Sequence, residues 1–384
     1  MGSPFDVTAD EMRRRTSLKW RTYPDDVLPA FVAEMDVRPL DAVVDAVTGA
    51  MASGDTGYEP GPTGPLGTAY AEAFAEFAAR RHGWDVPVER TRMVPDVMIG
   101  AVEVLDVLTE PGDGVVVNTP VYPPFRSFVE HARRRVVTAP LTPTGRLDLD
   151  ALDRAFTDAR AYLLCHPHNP TGTLHTEAEL RAVGELAARH GVRVVADEIH
   201  APLVVGDAPF VPTTSVIPDA IALHSASKAF NLAGLKAAVA VPGPGARDLR
   251  DIPEIVGHGV SHVASIAHRA AYRHGDAWLD DVLATIRTHG DLVAATLAER
   301  LPQARWTRPE ATYFAWLDVS GTPAVRATGV EPARLLLKRG RLAVNPGPSF
   351  GPQGAGFVRL NLATSRTLLL DVLERLVGTL GAPG

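Results

Sequence analysis

The chain is predicted to fold as an α/β protein, a mainly parallel sheet covered by helices, with a smaller α+β domain at its C-terminal end. Two observations carry this expectation. Beyond Gly83, short β-branched or apolar runs (Val115-Val116-Val117, Tyr162-Leu163-Leu164, Val192-Arg193-Val194-Val195-Ala196, Ile221-Ala222-Leu223 and Ala238-Val239-Ala240-Val241) alternate with helical stretches, as βα units of a parallel sheet do. Polar residues then gather where the runs end. Asn118, Asn169, Asp197, Ser225 and Lys228 all lie at or just past a strand's carboxyl end, where such sheets bind ligands.

The elements follow in order. Residues 25–36 read as an extended arm because Pro29 interrupts any helix. Leu40, Val43, Val44, Val47 and Met51 have helical spacing and predict a helix over 40–53, stopped at Gly54. Residues 57–62 are an irregular loop, and 66–82 a second helix closed by Gly83. A helix is expected over 99–108, and another over 176–190, where Thr176 and Glu179 form a capping-box signature. Past about residue 260 the pattern changes to a long helical tract, 264–301, broken near Gly275. Strand-like 313–317, a helix over 332–339 and a strand over 357–362 come next. The expected organisation is an arm (1–40) joining the small domain, a large ligand-binding domain (41–270) and a small domain (271–384).

Composition narrows the class. A chain of 384 residues with 46% hydrophobic and 22% charged residues is ordinary for a globular enzyme of two domains. A net charge of −7 without a basic block argues against nucleic-acid binding; the Arg13-Arg14-Arg15 and Arg133-Arg134-Arg135 runs read as solvated edges. The one cysteine, Cys165, excludes an internal disulfide and reads as a small buried hydrophobe. His166/His168 and His258/His262 lack the partners that a metal site needs. No apolar leader and no membrane-length apolar stretch is visible, so a cytoplasmic location is expected.

The chemistry centres on Lys228, in the run His224-Ser225-Ala226-Ser227-Lys228-Ala229-Phe230-Asn231. A desolvated lysine at a strand–loop junction can be neutral near physiological pH and hold an aldehyde cofactor as a Schiff base. Asp197, closing a strand, would pair with a pyridine nitrogen and keep it protonated. Asn169, in the turn His168-Asn169-Pro170-Thr171-Gly172, would donate its amide to a phenolic oxygen, and His200 would face the same side. Tyr122, between Val121 and Pro123, would stack on the ring. Ser225, Ser227, Lys236 and the backbone N–H groups of Met98 and Ile99 are the phosphate candidates. Arg359 offers a planar fork to a substrate carboxylate, and Asp36 in the arm is grouped with it at the substrate end. Together these point to pyridoxal 5'-phosphate (PLP).

With those residues in hand, the chain resembles fold-type I PLP enzymes of the class I/II aminotransferase superfamily, and more narrowly the MalY/PatB-type cystathionine β-lyases. The resemblance runs from residues 28–36 through 121–125, Pro167-His168-Asn169-Pro170-Thr171-Gly172, Ala196-Asp197-Glu198-Ile199-His200 and 227–235 to Arg359-Leu360-Asn361-Leu362-Ala363. It implies the fold-type I transferase architecture with a seven-stranded sheet, and a homodimer with shared active sites, in which Tyr58 reaches the partner's phosphate. Lys236 stands where aminotransferases commonly carry an arginine. Glu34 for the usual Asp, and Ala311 for the commoner Gly, are departures that bear on the substrate.

The expected activity is β-elimination on L-cystathionine or another cysteine S-conjugate, giving a thiol, pyruvate and ammonia. Transamination would use the same residues. A regulatory protein that keeps the fold and works through a partner is the third reading.

Overall fold

The computed structural model describes residues 2–60, 69–246 and 248–382. Its centre is a seven-stranded sheet. In chain order the strands are β1 (Arg92–Val94), β2 (Gly114–Thr119), β3 (Arg135–Pro140), β4 (Ala161–Cys165), β5 (Arg193–Asp197), β6 (Ile221–His224) and β7 (Ala238–Pro242). Across the sheet they lie β1-β7-β6-β5-β4-β2-β3. Only β7 runs against its two neighbours; β6, β5, β4, β2 and β3 are successively parallel. The reversal brings the entry to β7, around Lys236 and Ala237, to the edge where the parallel strands end.

Alternation along each strand builds two cores. Leu163 and Cys165 of β4 point to the face covered by the helix Val97–Leu108, while Tyr162 and Leu164 point to the face covered by Leu149–Phe156 and Glu177–His190. On that second face, Val239 and Val241 of β7 pack with Phe74 and Phe77 of the helix Ala69–His82 and with Ala267 and Ala271 of His262–His274. The Thr176–Glu179 capping box forms as predicted, with Glu179 N–H donating to Thr176 Oγ1 at 3.2 Å. The helix Asp41–Ser53 ends at Gly54, whose φ is 76°. The predicted start of the following helix (66–68) and the loop tip at 61–62 lie outside the described residues.

The edge strands β1 and β3 were not singled out in the sequence, because their residues are half-exposed and lack an apolar run. The Arg133-Arg134-Arg135 run leads into β3. There Arg134 is buried against Thr109 and Asp106, and Arg135 pairs with Asp158 at 2.8 Å.

The C-terminal part of the chain holds a four-stranded antiparallel sheet in which Phe357–Asn361 lies between Phe314–Asp318 and Asn345–Pro346, and Arg305–Trp306 closes the far edge. The arm joins it: Leu28–Pro29 pairs in parallel with Leu342–Ala343. The tract near Gly275 breaks into His262–His274 and Asp276–Arg300. The first of these helices packs through Ala264, Ala267 and Ala271 into the core that includes Val239 and Val241. The second straddles two cores, with Leu279 to Ile286 in the large one and Val293 to Leu297 in the small one. Among the described residues, no helix is long and apolar enough to cross a membrane.

Candidate active site

The carboxyl ends of β4, β5 and β6 and the loop after β2 converge on one cavity. Its lining includes Tyr122, Asn169, Asp197, His200, Ser225, Ser227, Lys228 and Lys236, together with Met98 from the start of the helix Val97–Leu108. That helix can sit close to the sheet because Gly100 carries no side chain: a Cβ there would stand 2.7 Å from Val94 and 2.8 Å from Leu223.

Lys228 makes no hydrogen bond or ion pair among the described residues. Burial, aided by the Arg359 charge, pulls its pKa down from 10.5 to about 8. Asp197 is buried at the end of β5 and accepts a hydrogen bond from Ile199 N–H at 3.1 Å. Burial raises its pKa to about 7, against the pull of that hydrogen bond and of Lys228. The loop carrying Lys228 is anchored three residues on. Asn231, in the left-handed region at φ 56°, accepts from Met35 N–H at 2.7 Å and donates to Met35 C=O at 3.0 Å.

Asn169 has a defined amide orientation. Its Oδ1 accepts from Arg359 Nη1 at 2.7 Å. A guanidinium only donates, so the amide NH₂ is left facing the remaining neighbours. The Asn169 carbonyl also accepts from Tyr122 N–H at 3.0 Å, which ties the aromatic loop to the turn. Arg359 is buried, donates to Asn345 Oδ1 at 2.8 Å, and lies 4.0 Å over the Phe314 ring. No carboxylate of the described residues pairs with it. Three of its five N–H groups remain unused by the two bonds above.

Three sequence expectations change. Asp36 does not reach the cavity: its two oxygens are taken by Lys19 Nζ at 2.7 Å and Trp20 Nε1 at 2.8 Å, a buried pair that fastens the arm to the N-terminal helices. Ile99 N–H is taken by the side chain of Asp96 at 2.8 Å, because the helix starts earlier than expected, at Val97. The free N–H groups are therefore those of Val97 and Met98. Ser225 spends its hydroxyl on Ala237 C=O at 2.8 Å and accepts from Ser227 N–H, so it braces the loop and leaves Ser227 as the hydroxyl free to donate. Tyr58 is 88% exposed and contributes nothing to this chain's own cavity.

His200 lines the cavity with Nδ1 unpartnered, against the rings of Tyr313 and Phe314. Burial, with Lys228 and Arg359 nearby, holds its pKa well below the ordinary histidine value, so the ring is neutral. Cys165 is buried on the cavity wall, and burial pushes its thiol pKa up. Asp96, missed in the sequence, lines the cavity between the helix start and Lys236. The signal for it was an aspartate directly before a helix in Pro95-Asp96-Val97.

The residues fit PLP. A weakly basic amine, a buried carboxylate, a free amide NH₂ and a cluster of donors at a helix start (Val97 and Met98 N–H, Ser227, Lys236) lie around one cavity. Buried polar atoms on His200, Tyr313 and Arg359 have no partner among the described residues.

A fold and site of this kind define a fold-type I enzyme of the class I and II aminotransferase family, whose model matches residues 34–376; the chain belongs to that family. Within it, the chain belongs to the cystathionine β-lyase branch typified by MalY and PatB. It is 49% identical to a Mycobacterium tuberculosis protein named "Putative cystathionine beta-lyase", over 97% of this chain and 96% of that one. It is 34% identical to cystathionine β-lyase PatB of Bacillus subtilis over 92% and 93% of the two chains. The crystal structure of a "putative plp-dependent beta-cystathionase" from Corynebacterium diphtheriae superposes over 100% of both chains, with a TM-score of 0.91 and 32% identity.

Proposed function

We propose that the chain is a PLP-dependent carbon–sulfur β-lyase that acts on L-cystathionine or a related cysteine S-conjugate and yields a thiol, pyruvate and ammonia. One observation carries the reading. The cavity sets an amine of lowered pKa beside a buried carboxylate, and next to them lies a buried guanidinium that pairs with no carboxylate among the described residues. An uncompensated buried charge is costly, and an α-carboxylate would complete it.

When bound, PLP supplies an electron sink for the pair released at the substrate Cα. Lys228 would hold the cofactor's aldehyde carbon and, as a free amine, would take the substrate Cα proton. Asp197 keeps a proton on the pyridine nitrogen. Asn169, oriented by Arg359, donates to the phenolic oxygen, with His200 on the same side. Tyr122 covers a ring face. Val97 and Met98 N–H, Ser227 and Lys236 hold the phosphate. Arg359 would hold the substrate carboxylate while the electron pair released at Cα expels the thiolate from Cβ, and water would then free ammonia and leave pyruvate. The active unit is a cytoplasmic homodimer, in which exposed Tyr58 reaches the partner's phosphate.

The test is incubation of the holoenzyme with L-cystathionine and a panel of cysteine S-conjugates. Pyruvate and free thiol should appear in equal amounts without an added 2-oxo acid, and Lys228→Ala should abolish both that turnover and borohydride fixation of the cofactor. A requirement for a 2-oxo acid acceptor would replace the reading with transamination. A chain that takes up no PLP would leave the regulatory one.

A further inference from the structure

The phosphate end of the cavity contains an anion. Asp96 caps the helix Val97–Leu108: Oδ1 accepts from Ile99 N–H at 2.8 Å, and Oδ2 lies 3.1 Å from Lys236 Nζ. Both residues line the cavity, beside the two free N–H groups at the helix start. The carboxylate also acts inside the site. Behind burial, the main cause, its charge contributes to raising the pKa values of both Asp197 and Tyr122. Lys236 and Asp96 are thus a preformed pair standing where a phosphate dianion must come. Among the described residues lining the cavity, Lys236 is the cation beside the helix start, and it is shared with Asp96.

We infer that Asp96 limits the grip on the cofactor phosphate: it repels the incoming dianion and competes with it for Lys236. The inference rests on the PLP reading above. A helix N-terminus favours anions, and asparagine caps as well as aspartate. Asp96→Asn therefore removes the charge and keeps the cap. Lys236, whose side chain is 57% exposed, is then free to turn to the phosphate.

The experiment measures PLP dissociation constants by absorbance titration of cofactor-free protein for four forms: wild type, D96N, K236M and D96N/K236M. Pyridoxal, which has the aldehyde but no phosphate, is titrated in parallel, and the melting temperature of each cofactor-free form checks folding. D96N should bind PLP about tenfold more tightly, equivalent to roughly 1.4 kcal/mol, with pyridoxal affinity unchanged. K236M should weaken PLP binding, and the double variant should recover much of that loss, because the unscreened carboxylate is gone. Should D96N melt early, Asp96→Ser makes the same comparison with another good cap.

The inference is overturned if D96N binds PLP no more tightly than wild type, if it alters PLP and pyridoxal alike, or if it fails to rescue K236M. Wild-type protein that binds neither ligand overturns the PLP reading itself, a result distinct from all three.

Discussion

The lowered basicity of Lys228 is open to direct measurement. With a pKa of about 8, about one Lys228 in eleven is neutral at pH 7, against about one in three thousand for a lysine at its ordinary 10.5. Trace acetylation of cofactor-free protein by acetic anhydride, read by peptide mass spectrometry, reports that neutral fraction. Labelling of Lys228 should rise about tenfold per pH unit below the break and level off near pH 8. The neighbours set the signs of two further shifts. Arg359 pushes the Lys228 pKa down, so Arg359→Met should move the break to higher pH; Asp197 pulls it up, so Asp197→Asn should move it lower. A break near 10.5 in the wild type, or one that neither variant moves, would refute the electrostatic account of the site.

Three further outcomes follow from the geometry. Lys19→Met leaves Asp36 charged, buried and without its ammonium partner, which should cost about 3–5 kcal/mol in denaturant unfolding. Gly172→Ala should destabilise by roughly 1–3 kcal/mol: φ there is +71°, and a Cβ would stand 2.3 Å from Pro309 and 2.8 Å from the Ala311 carbonyl. Asp197 has its folded pKa raised to about 7 from 3.8, so its contribution is fully present below about pH 4 and is lost as pH rises toward 7. Cofactor-free protein should therefore lose part of its melting temperature across that window, and Asp197→Asn should flatten the loss.

The interior of the fold was legible because each buried strand of the main sheet is an apolar run wherever two helical layers cover it. The edge strands were not, since a half-exposed strand such as Arg135–Pro140 carries no apolar period. Lys228, Asp197 and Asn169 were legible because they sit at strand ends within distinctive wording. Asp36 was misread because its neighbour Ala33 lines the cavity while its own carboxylate turns toward Lys19, and the direction of a side chain in an irregular arm leaves no trace in spacing. Ile99 was misassigned through a helix start placed two residues late, the ordinary scale of boundary error. The isolation of Arg359 from the carboxylates of the described residues is a property of the assembled core and has no local signature.

That isolation also links the two ends of the proposed chemistry. Arg359 donates to Asn169 through Nη1 and to Asn345 through Nη2, so the group expected to read the substrate carboxylate also fixes which face of the Asn169 amide points away from it. Moving the guanidinium by even a rotamer would release Asn169 Oδ1 and allow the amide to flip, presenting an acceptor where the phenolic oxygen needs a donor. In the proposed roles, substrate recognition and cofactor polarisation would share this one hydrogen bond. Lysine at 359, with a single ammonium, cannot make both bonds in the same planar geometry. Arg359→Lys should therefore change the absorption band of the bound cofactor even without substrate, whereas a residue that only grips the carboxylate would leave that spectrum untouched.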